Sequence, residues 1–206
     1  MVQPPLLFFF DYVDPASYLQ DVLLERRGIG ADADAREVER IPLEIRPPPS
    51  SVVNPEEPEW RAFHHSMEQL ARTLDVPFTR SETGRVPWTR KAHELRFHAD
   101  EKGCFPQVHR ALFEAHFVEK RDLGRVDVLV EIAARLGLDR TEVKTVLDVD
   151  RFAGSVRDAR NRATERGVVG VPTLMTEGRK LEGFQGPEVL EQFLDQESSG
   201  PDGTDP

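Results

Sequence analysis

Cysteine is almost absent from this chain: Cys104 is the only one among 206 residues. One thiol cannot form a disulfide within the chain, which excludes a dithiol–disulfide cycle carried out by a single molecule. This scarcity is consistent with a reducing compartment. No motif surrounds Cys104, and we interpret it as a residue without a catalytic role.

Basic residues are also in the minority, with 27 Lys and Arg against 37 Asp and Glu and a net charge of −10. Nucleic acid is not an expected partner, because neutralising phosphates requires clustered cations. No apolar stretch has the length of a membrane span, and Met1–Pro5 lacks the basic start of a secretory signal. We expect a soluble, cytoplasmic protein with no membrane partner.

The histidines do not have the spacing of a metal site. Two zinc ligands on one face of a helix stand four residues apart, and no pair among the six histidines does (His64, His65, His93, His98, His109, His116). A cysteine cluster is missing as well. We expect no bound metal.

An apolar run near the start of the chain predicts a buried strand. Leu6–Phe10 is continuously apolar, as strands buried on both faces are. Helical spacing follows and ends at Gly28, while Asp14 and Pro15 are favoured residues for the start of a helix. The tetrapeptide Asp14-Pro15-Ala16-Ser17 is therefore predicted on the first turn of that helix, where backbone N–H groups favour anions.

A second motif, Gly167–Leu174, lies near the other end of the chain. Pro172 precedes a short apolar segment, a turn at Glu177-Gly178 and another apolar segment, which predicts a β-hairpin. Proline cannot donate to the ladder, so Pro172 suits the first residue of a strand or a cis peptide bond.

The residues between the two motifs are mainly helical in pattern. A second strand is predicted over 38–45, before a run of three prolines. Helical spacing then predicts helices around 60–74, 108–118 and 126–136. Another helix is predicted to begin at the capping box Asp139-x-x-Glu142, and a further one to end before Gly167. Pro187 is predicted to begin the last helix.

The two motifs together resemble the DsbA-like branch of the thioredoxin superfamily, which includes 2-hydroxychromene-2-carboxylate isomerases and kappa-class glutathione transferases. In that branch a C-x-x-C or S-P-x-S turn after the first strand faces a cis-proline loop of the form G-V-P-T. Asp11–Leu19 and Gly167–Leu174 match these elements, and residues 89–95, 112–117 and 130–139 match more loosely. The resemblance implies an α/β protein, a thioredoxin fold with an inserted helical domain.

The same resemblance implies the domain boundaries. Residues 1–50 and 151–195 are expected to form the thioredoxin-like domain, and residues 51–150 the inserted helical domain. Residues 196–206 are acidic and poor in apolar side chains, so a disordered tail is predicted. Because kappa-class relatives form dimers, a homodimer is one possible assembly.

Two residues of the predicted turn are candidate catalytic groups. Asp14 stands where the family has its attacking cysteine or serine, and Ser17 where it has the second cysteine. Asp14 could act as a general acid or base, or it could simply cap the helix, which is the commoner role. The helix dipole should lower the pKa of Asp14 unless burial opposes it. Nucleophilic use of Ser17 would need Asp14 as its base.

Six further residues are candidates for binding a substrate. Tyr12 and Tyr18 flank the turn and could line a pocket, although half-buried tyrosines with hydrated hydroxyls are commoner. The resemblance implies that the backbone of Val171, beside Pro172, pairs with an extended substrate. It also places His93, in the string Ala-His-x-Leu, over the cleft and Trp88 as an apolar wall where relatives often carry asparagine.

Three classes of function follow from these residues. A thiol–disulfide oxidoreductase needs a thiolate that the turn lacks. A glutathione-dependent isomerase or transferase is disfavoured because an Asp14 carboxylate would raise the pKa of a glutathione thiol, and Gln185-Gly186-Pro187 replaces the family's glutathione-holding Asp-Arg string. We therefore expect a protein of the oxidoreductase family that has lost its redox cysteines. It would bind a peptide or small molecule, without a cofactor, in a cleft between Asp14 and Pro172; whether it is an enzyme stays open.

Overall fold

The computed structural model describes residues 4–29, 36–50, 57–79 and 86–195. Four strands and eight helices follow one another in these ranges: β1 Leu6–Phe10, α1 Pro15–Arg26, β2 Val38–Pro42, α2 Pro58–Thr73, α3 Arg90–Glu101, α4 Phe105–Phe117, α5 Val126–Arg135, α6 Arg140–Asp148, α7 Ala153–Glu165, β3 Thr173–Thr176, β4 Arg179–Glu182 and α8 Pro187–Asp195. None of these helices is long and apolar enough to cross a membrane.

The strands form one mixed sheet in the order β2-β1-β3-β4. Strand β1 runs parallel to β2, with Leu6 opposite Val38, and antiparallel to β3, with Phe9 opposite Thr173. Strands β3 and β4 form the predicted antiparallel hairpin. The continuous apolar run of β1 is explained by its interior place, because side chains on both of its faces must be buried.

Each face of the sheet contributes to a separate hydrophobic cluster. Phe8 and Phe10 belong to the larger cluster, which also contains side chains of α1, α8 and all five helices from α2 to α6. Phe9 and Ile41 belong to the smaller one, which α7 covers through Ala159 and Ala163. The helices between β2 and α7 thus share a continuous core with the sheet.

The predicted elements are found with small changes of boundary. Strand β2 ends at Pro42, three residues before the predicted end, although the Leu43 N–H still donates to the Phe10 carbonyl at 2.8 Å. Helix α6 begins as the capping box predicts, since the Asp139 side chain accepts a hydrogen bond from the Glu142 N–H. The tail predicted at 196–206 lies outside the described residues.

Candidate functional site

Three connecting segments meet at one edge of the sheet. The parallel strands β1 and β2 both end at this edge, and the antiparallel strand β3 begins there. The edge therefore receives the turn after Phe10, the segment after Pro42 and the loop that ends at Pro172. The sequence predicts that the turn after Phe10 faces the loop that ends at Pro172. The topology also brings the segment after Pro42 to the same edge.

Helix α1 starts at this edge with the predicted cap. Asp14 is the N-cap residue and Pro15 occupies the first helical turn, while Gly28 follows the helix with a φ of +67°. Asp14 Oδ2 accepts hydrogen bonds from the Ser17 N–H at 2.7 Å and from the Ser17 hydroxyl at 2.6 Å. The two candidate catalytic residues are therefore bonded directly to each other.

The Asp14 carboxyl is almost completely buried, with 4% of its surface exposed. Burial raises its pKa from an ordinary 3.8 to about 7, and the neighbouring charge of Asp11 adds to the rise, while the bonds from Ser17 oppose it. The expected lowering by the helix terminus is therefore outweighed by desolvation. Asp14 exchanges a proton near neutral pH, which is where a general acid or base is most effective.

Replacing Ser17 with alanine is expected to raise the pKa of Asp14 above about 7, because the variant loses a hydroxyl that donates to the ionised carboxylate. Carboxyl ¹³C chemical shifts followed during a pH titration measure this value directly. A Ser17→Thr variant keeps the hydroxyl and should titrate close to the unaltered protein. If the pKa of Asp14 were unchanged in Ser17→Ala, the hydroxyl of Ser17 would not stabilise the ionised carboxylate.

A second set of buried polar groups lies behind the turn. Asp11 Oδ1 is 3.0 Å from His93 Nε2, and Asp11 Oδ2 accepts a hydrogen bond from the Ile45 N–H at 2.9 Å. Glu44 accepts one from the Arg90 N–H at 3.2 Å, and burial raises the pKa of its carboxyl. These contacts join the turn, the segment after β2 and the start of α3.

The structure corrects the expected position of His93. Its ring is fully buried, so it supports the turn from behind and presents no surface to a ligand. Sequence reasoning missed its partner Asp11, and it also missed Glu44 on the segment after β2. A polar residue directly after an apolar strand is a usable signal for Asp11, whereas nothing local distinguishes Glu44.

The two tyrosines are also placed differently from the expectation. Tyr12 is fully buried, and its hydroxyl lies 3.0 Å from His109 Nδ1. Tyr18 is buried against Phe117, and its hydroxyl donates to the Pro77 carbonyl at 3.0 Å. Neither tyrosine is half-buried with a hydrated hydroxyl, because α4 and the segment after α2 cover them. Both stabilise the core beneath the turn.

His109 extends this buried network to two charged groups. Its Nε2 atom lies 3.2 Å from Asp21 Oδ2, and Asp21 Oδ1 accepts a hydrogen bond from Arg40 Nε at 2.8 Å. Burial acts to raise the pKa of Asp21, but His109 and Arg40 outweigh it and lower the value to about 2. Asp21 therefore stays ionised inside the protein, held by two partners.

The loop before β3 contains the second motif. The Val171–Pro172 peptide bond is cis. Pro172 is buried and its carbonyl accepts a hydrogen bond from the Gly183 N–H at 2.8 Å, while the Thr173 hydroxyl donates to the Gly170 carbonyl at 2.8 Å. Val171 is partly exposed. The loop is thus tied to the hairpin and leaves Val171 accessible.

Trp88 is the remaining predicted substrate-binding residue. It is 42% exposed and its indole N–H donates to the Ser50 carbonyl at 3.2 Å. It lines a cavity of about 460 Å³ together with residues from three segments (Pro48, Pro87, Arg90, Lys91, Asp122, Gly124, Arg125). Asp14, Ser17 and Pro172 are not among the described residues that line this cavity.

Metal ligands are not gathered in this region. Throughout the described ranges, no three or more histidine, cysteine, aspartate and glutamate side chains are grouped so that they could hold a metal ion.

The sheet order, the cap of α1 and the proline loop define a thioredoxin-fold protein with additional helices. The chain belongs to the family of the DSBA-like thioredoxin domain, whose model matches residues 6–195. This result confirms the fold and the family that the two motifs predicted. The single cysteine is consistent with loss of the C-x-x-C motif.

Known proteins resemble the chain over almost its whole length. The Bacillus subtilis protein YwbO is 27% identical over 192 residues, which cover 92% of this chain and 94% of YwbO. A probable DsbA oxidoreductase from Streptomyces coelicolor has a similar structure, with a TM-score of 0.83, 22% identity and 98% of both chains covered.

Two further solved structures share the fold. A 2-hydroxychromene-2-carboxylate isomerase matches with a TM-score of 0.76 at 16% identity, covering 94% of this chain and 95% of the isomerase. The cytosolic disulfide reductase DsbM of Pseudomonas aeruginosa, solved with glutathione, matches with a TM-score of 0.70 at 18% identity, covering 94% and 98%. At these identities the likeness concerns the fold alone.

Proposed function

We propose that this protein uses the DsbA-like scaffold without thiol chemistry. A peptide or small molecule binds at the sheet edge beside the partly exposed Val171, next to Pro172, and the buried Asp14 carboxyl, reached from there, gives or accepts a proton. The observation that carries the proposal is the pKa of about 7 that burial gives to Asp14. An ordinary helix cap is exposed and ionised, whereas this one changes its protonation near neutral pH.

The position of Cys104 supports a function without thiol exchange. Cys104 is the N-cap residue of α4, and partial burial raises the pKa of its thiol. Exchange requires a thiolate, and a raised pKa keeps the thiolate scarce at neutral pH. A single thiol of this kind offers neither an attacking nor a resolving cysteine to the turn.

Redox assays test the proposal that the protein carries out no thiol–disulfide exchange. The unaltered protein and Cys104→Ser are both expected to leave the rate of insulin reduction by dithiothreitol unchanged. Acceleration by the unaltered protein, whether or not it depends on Cys104, would contradict the proposal.

A glutathione-dependent isomerase or transferase is the second candidate. Its support is the partial neutrality of Asp14 near pH 7, which weakens the repulsion between its carboxylate and a glutathione thiolate. Under this alternative, Asp14→Ser, which creates a Ser-Pro-Ala-Ser turn, should bind glutathione more tightly than the unaltered protein. Calorimetric titration measures both affinities, and submillimolar binding by the unaltered protein would favour the alternative over our proposal.

A ligand screen tests the binding site itself. Small molecules and short peptides that bind at the proposed edge are expected to shift the amide NMR signals of Ser17 and Val171 together. Ligands that shift only signals remote from both residues would contradict the proposed cleft. We further propose a cytoplasmic location and a homodimer as the assembly to test, by fractionation and by light scattering.

A further inference from the structure

Asp11 is the carboxylate that lies directly behind the turn. We infer that Asp11 is a positioning residue for the proton transfer proposed for Asp14, and that helix α3 acts on the turn through the contact of His93 with Asp11. The backbone of Asp11 contacts Ser17 and the start of α1, and its carboxylate places a negative charge beside Asp14. The inference rests on the proposed function, because it concerns how the same carboxyl group of Asp14 is controlled.

Two bonds from separate segments hold the Asp11 side chain. Its Oδ1 atom lies 3.0 Å from His93 Nε2 on α3, and its Oδ2 atom accepts a hydrogen bond from the Ile45 N–H at 2.9 Å, on the segment after β2. Asp11 is only 1% exposed, so these protein groups, rather than bulk water, solvate its carboxylate. Burial of a carboxylate is costly without hydrogen bonds, and here both oxygens have a partner. The carboxylate is therefore restrained in one orientation.

His93 is a fixed hydrogen-bond donor to Asp11. An ionised carboxylate can only accept, so the hydrogen of this contact is on His93 Nε2. The imidazole is fully buried, with the centroid of the Phe10 ring at 5.7 Å and that of the stacked Tyr12 ring at 5.0 Å. These packed aromatic neighbours restrict rotation of the imidazole. A displacement of α3 would therefore move or break the bond to Asp11.

The backbone of Asp11 contacts both candidate catalytic residues. Its carbonyl accepts a hydrogen bond from the Asp14 N–H at 3.2 Å, and its N–H donates to Ser17 Oγ at 3.4 Å. The Ser17 hydroxyl donates in turn to Asp14 Oδ2 at 2.6 Å. Because the Asp11 N–H is directed at the oxygen of Ser17, the hydroxyl hydrogen is directed toward Asp14. The orientation of the hydroxyl that stabilises the Asp14 carboxylate therefore depends on Asp11.

The charge of Asp11 also acts on Asp14. Burial is the main cause of the raised pKa of Asp14, and the charge of Asp11 adds to the rise, while the hydrogen bonds from Ser17 oppose it. Two neighbouring carboxylates resist being ionised together. Because Asp11 has two donors for its oxygens, it is the carboxylate that keeps its charge, and the proton is held by Asp14.

Other elements also bring titratable groups towards Asp11. Burial, and to a smaller extent the charge of Asp11, raises the pKa of Glu44 on the segment after β2. His116 on α4 also interacts with this charge, but burial lowers the pKa of His116 to about 4. Neither Glu44 nor His116 supplies a positive charge at neutral pH. Both therefore leave the effect of Asp11 on Asp14 in place.

Asp11→Asn tests the effect of the charge. The variant is expected to lower the pKa of Asp14 below about 7, because asparagine keeps the shape of the side chain and removes its charge. Carboxyl ¹³C chemical shifts followed during a pH titration measure this value. Glu94→Gln is the matched control, since Glu94 is also buried, follows His93 on α3 and accepts a hydrogen bond from the Phe152 N–H at 3.3 Å. An equal effect of the two substitutions, or no effect of Asp11→Asn, would overturn the inference.

A comparison of two backgrounds tests the route through His93. His93→Leu removes the donor and is expected to shift the pKa of Asp14 in the unaltered protein, but not in the Asp11→Asn protein, where the carboxylate is absent. His93→Gln can still donate an amide hydrogen to Asp11 and should shift the value less. If His93 were merely structural, its replacement by leucine would alter Asp14 equally in both backgrounds, and that result would contradict the inference.

The unaltered protein allows a test that needs no variant to fold. The carboxyl ¹³C shift of Asp11 and the ¹⁵N shift of His93 Nε2 should both change at the pH at which Asp14 titrates. Titration of Asp14 near pH 7 without a change in either signal would overturn the inference and leave the proposed function standing. Titration of Asp14 near its ordinary pKa of 3.8 would overturn both.

Discussion

Replacing Asp14 with asparagine is expected to stabilise the protein by up to about 4 kcal/mol at about pH 8 and to have little effect at about pH 4. The pKa of Asp14 in the folded protein, about 7, lies above its ordinary value of 3.8. The folded state therefore holds this proton more tightly than the unfolded state. Its contribution to stability is complete below about pH 4 and is lost as the pH rises through about 7.

The asparagine variant removes this dependence and keeps most of the cap. Its amide oxygen can still accept hydrogen bonds from the Ser17 N–H and hydroxyl, and asparagine is a favoured N-cap residue. Urea unfolding at several pH values measures the difference between the two proteins.

Asp139→Asn is the matched control for this prediction. Asp139 is the N-cap residue of α6 and accepts a hydrogen bond from the Glu142 N–H at 2.8 Å, but it is exposed. Its substitution should change stability by a small amount without this dependence on pH. If Asp14→Asn and Asp139→Asn had parallel pH profiles, the raised pKa of Asp14 and its role as a proton donor would both be untenable.

Replacing Asp21 with asparagine is expected to lower the free energy of unfolding by about 3 to 5 kcal/mol at neutral pH. The side chains of Asp21 and Arg40 are only 4% and 12% exposed, so the variant leaves a guanidinium inside the protein without its carboxylate. The pKa of Asp21 is lowered to about 2, below its ordinary 3.8. The stabilisation is therefore present above about pH 4 and is lost as the pH falls through about 2.

Two further variants separate the buried charge from other effects. Glu39→Gln, on the same strand as Arg40, disrupts an exposed pair with Arg162 and should change stability by less than about 0.5 kcal/mol. The double variant Asp21→Asn/Arg40→Met removes both charges and should be more stable than Asp21→Asn alone. Urea denaturation measures all of these proteins, and a double variant less stable than Asp21→Asn would rule out an uncompensated charge as the cause.

Local signals in the sequence were sufficient for the first strand, the hairpin and the cap, whereas α3 was not among the predicted helices. The run Leu6–Phe10 predicts an interior strand because only such a strand buries both faces, and Asp14 with Pro15 predicts the start of α1. The hairpin after Pro172 follows from its proline and its turn. Each of these features depends on residues that are neighbours in the chain.

The burial of the site could not be predicted in the same way. Tyr12 contacts His109, which lies 97 residues further along the chain, and Asp11 contacts His93, which lies 82 residues further along. The burial of Asp14 likewise depends on tertiary packing. The pKa of Asp14 depends on this covering, since the helix terminus alone would lower the value. The grouping of Arg90 and Arg125 around one cavity likewise depends on the packing of segments that are distant in the chain.

Because three connecting segments meet at one edge of the sheet, the side chains there are not part of the strands that define the fold. The strand register depends on backbone hydrogen bonds of β1 with β2 and β3, whereas the reactive side chains stand on segments outside the ladder. A sulfur can be exchanged for a carboxylate at residue 14 without altering any pairing of the strands. The scaffold therefore accepts different side chains at the start of α1, and one or two substitutions in this turn can change the chemistry that the edge of the sheet offers.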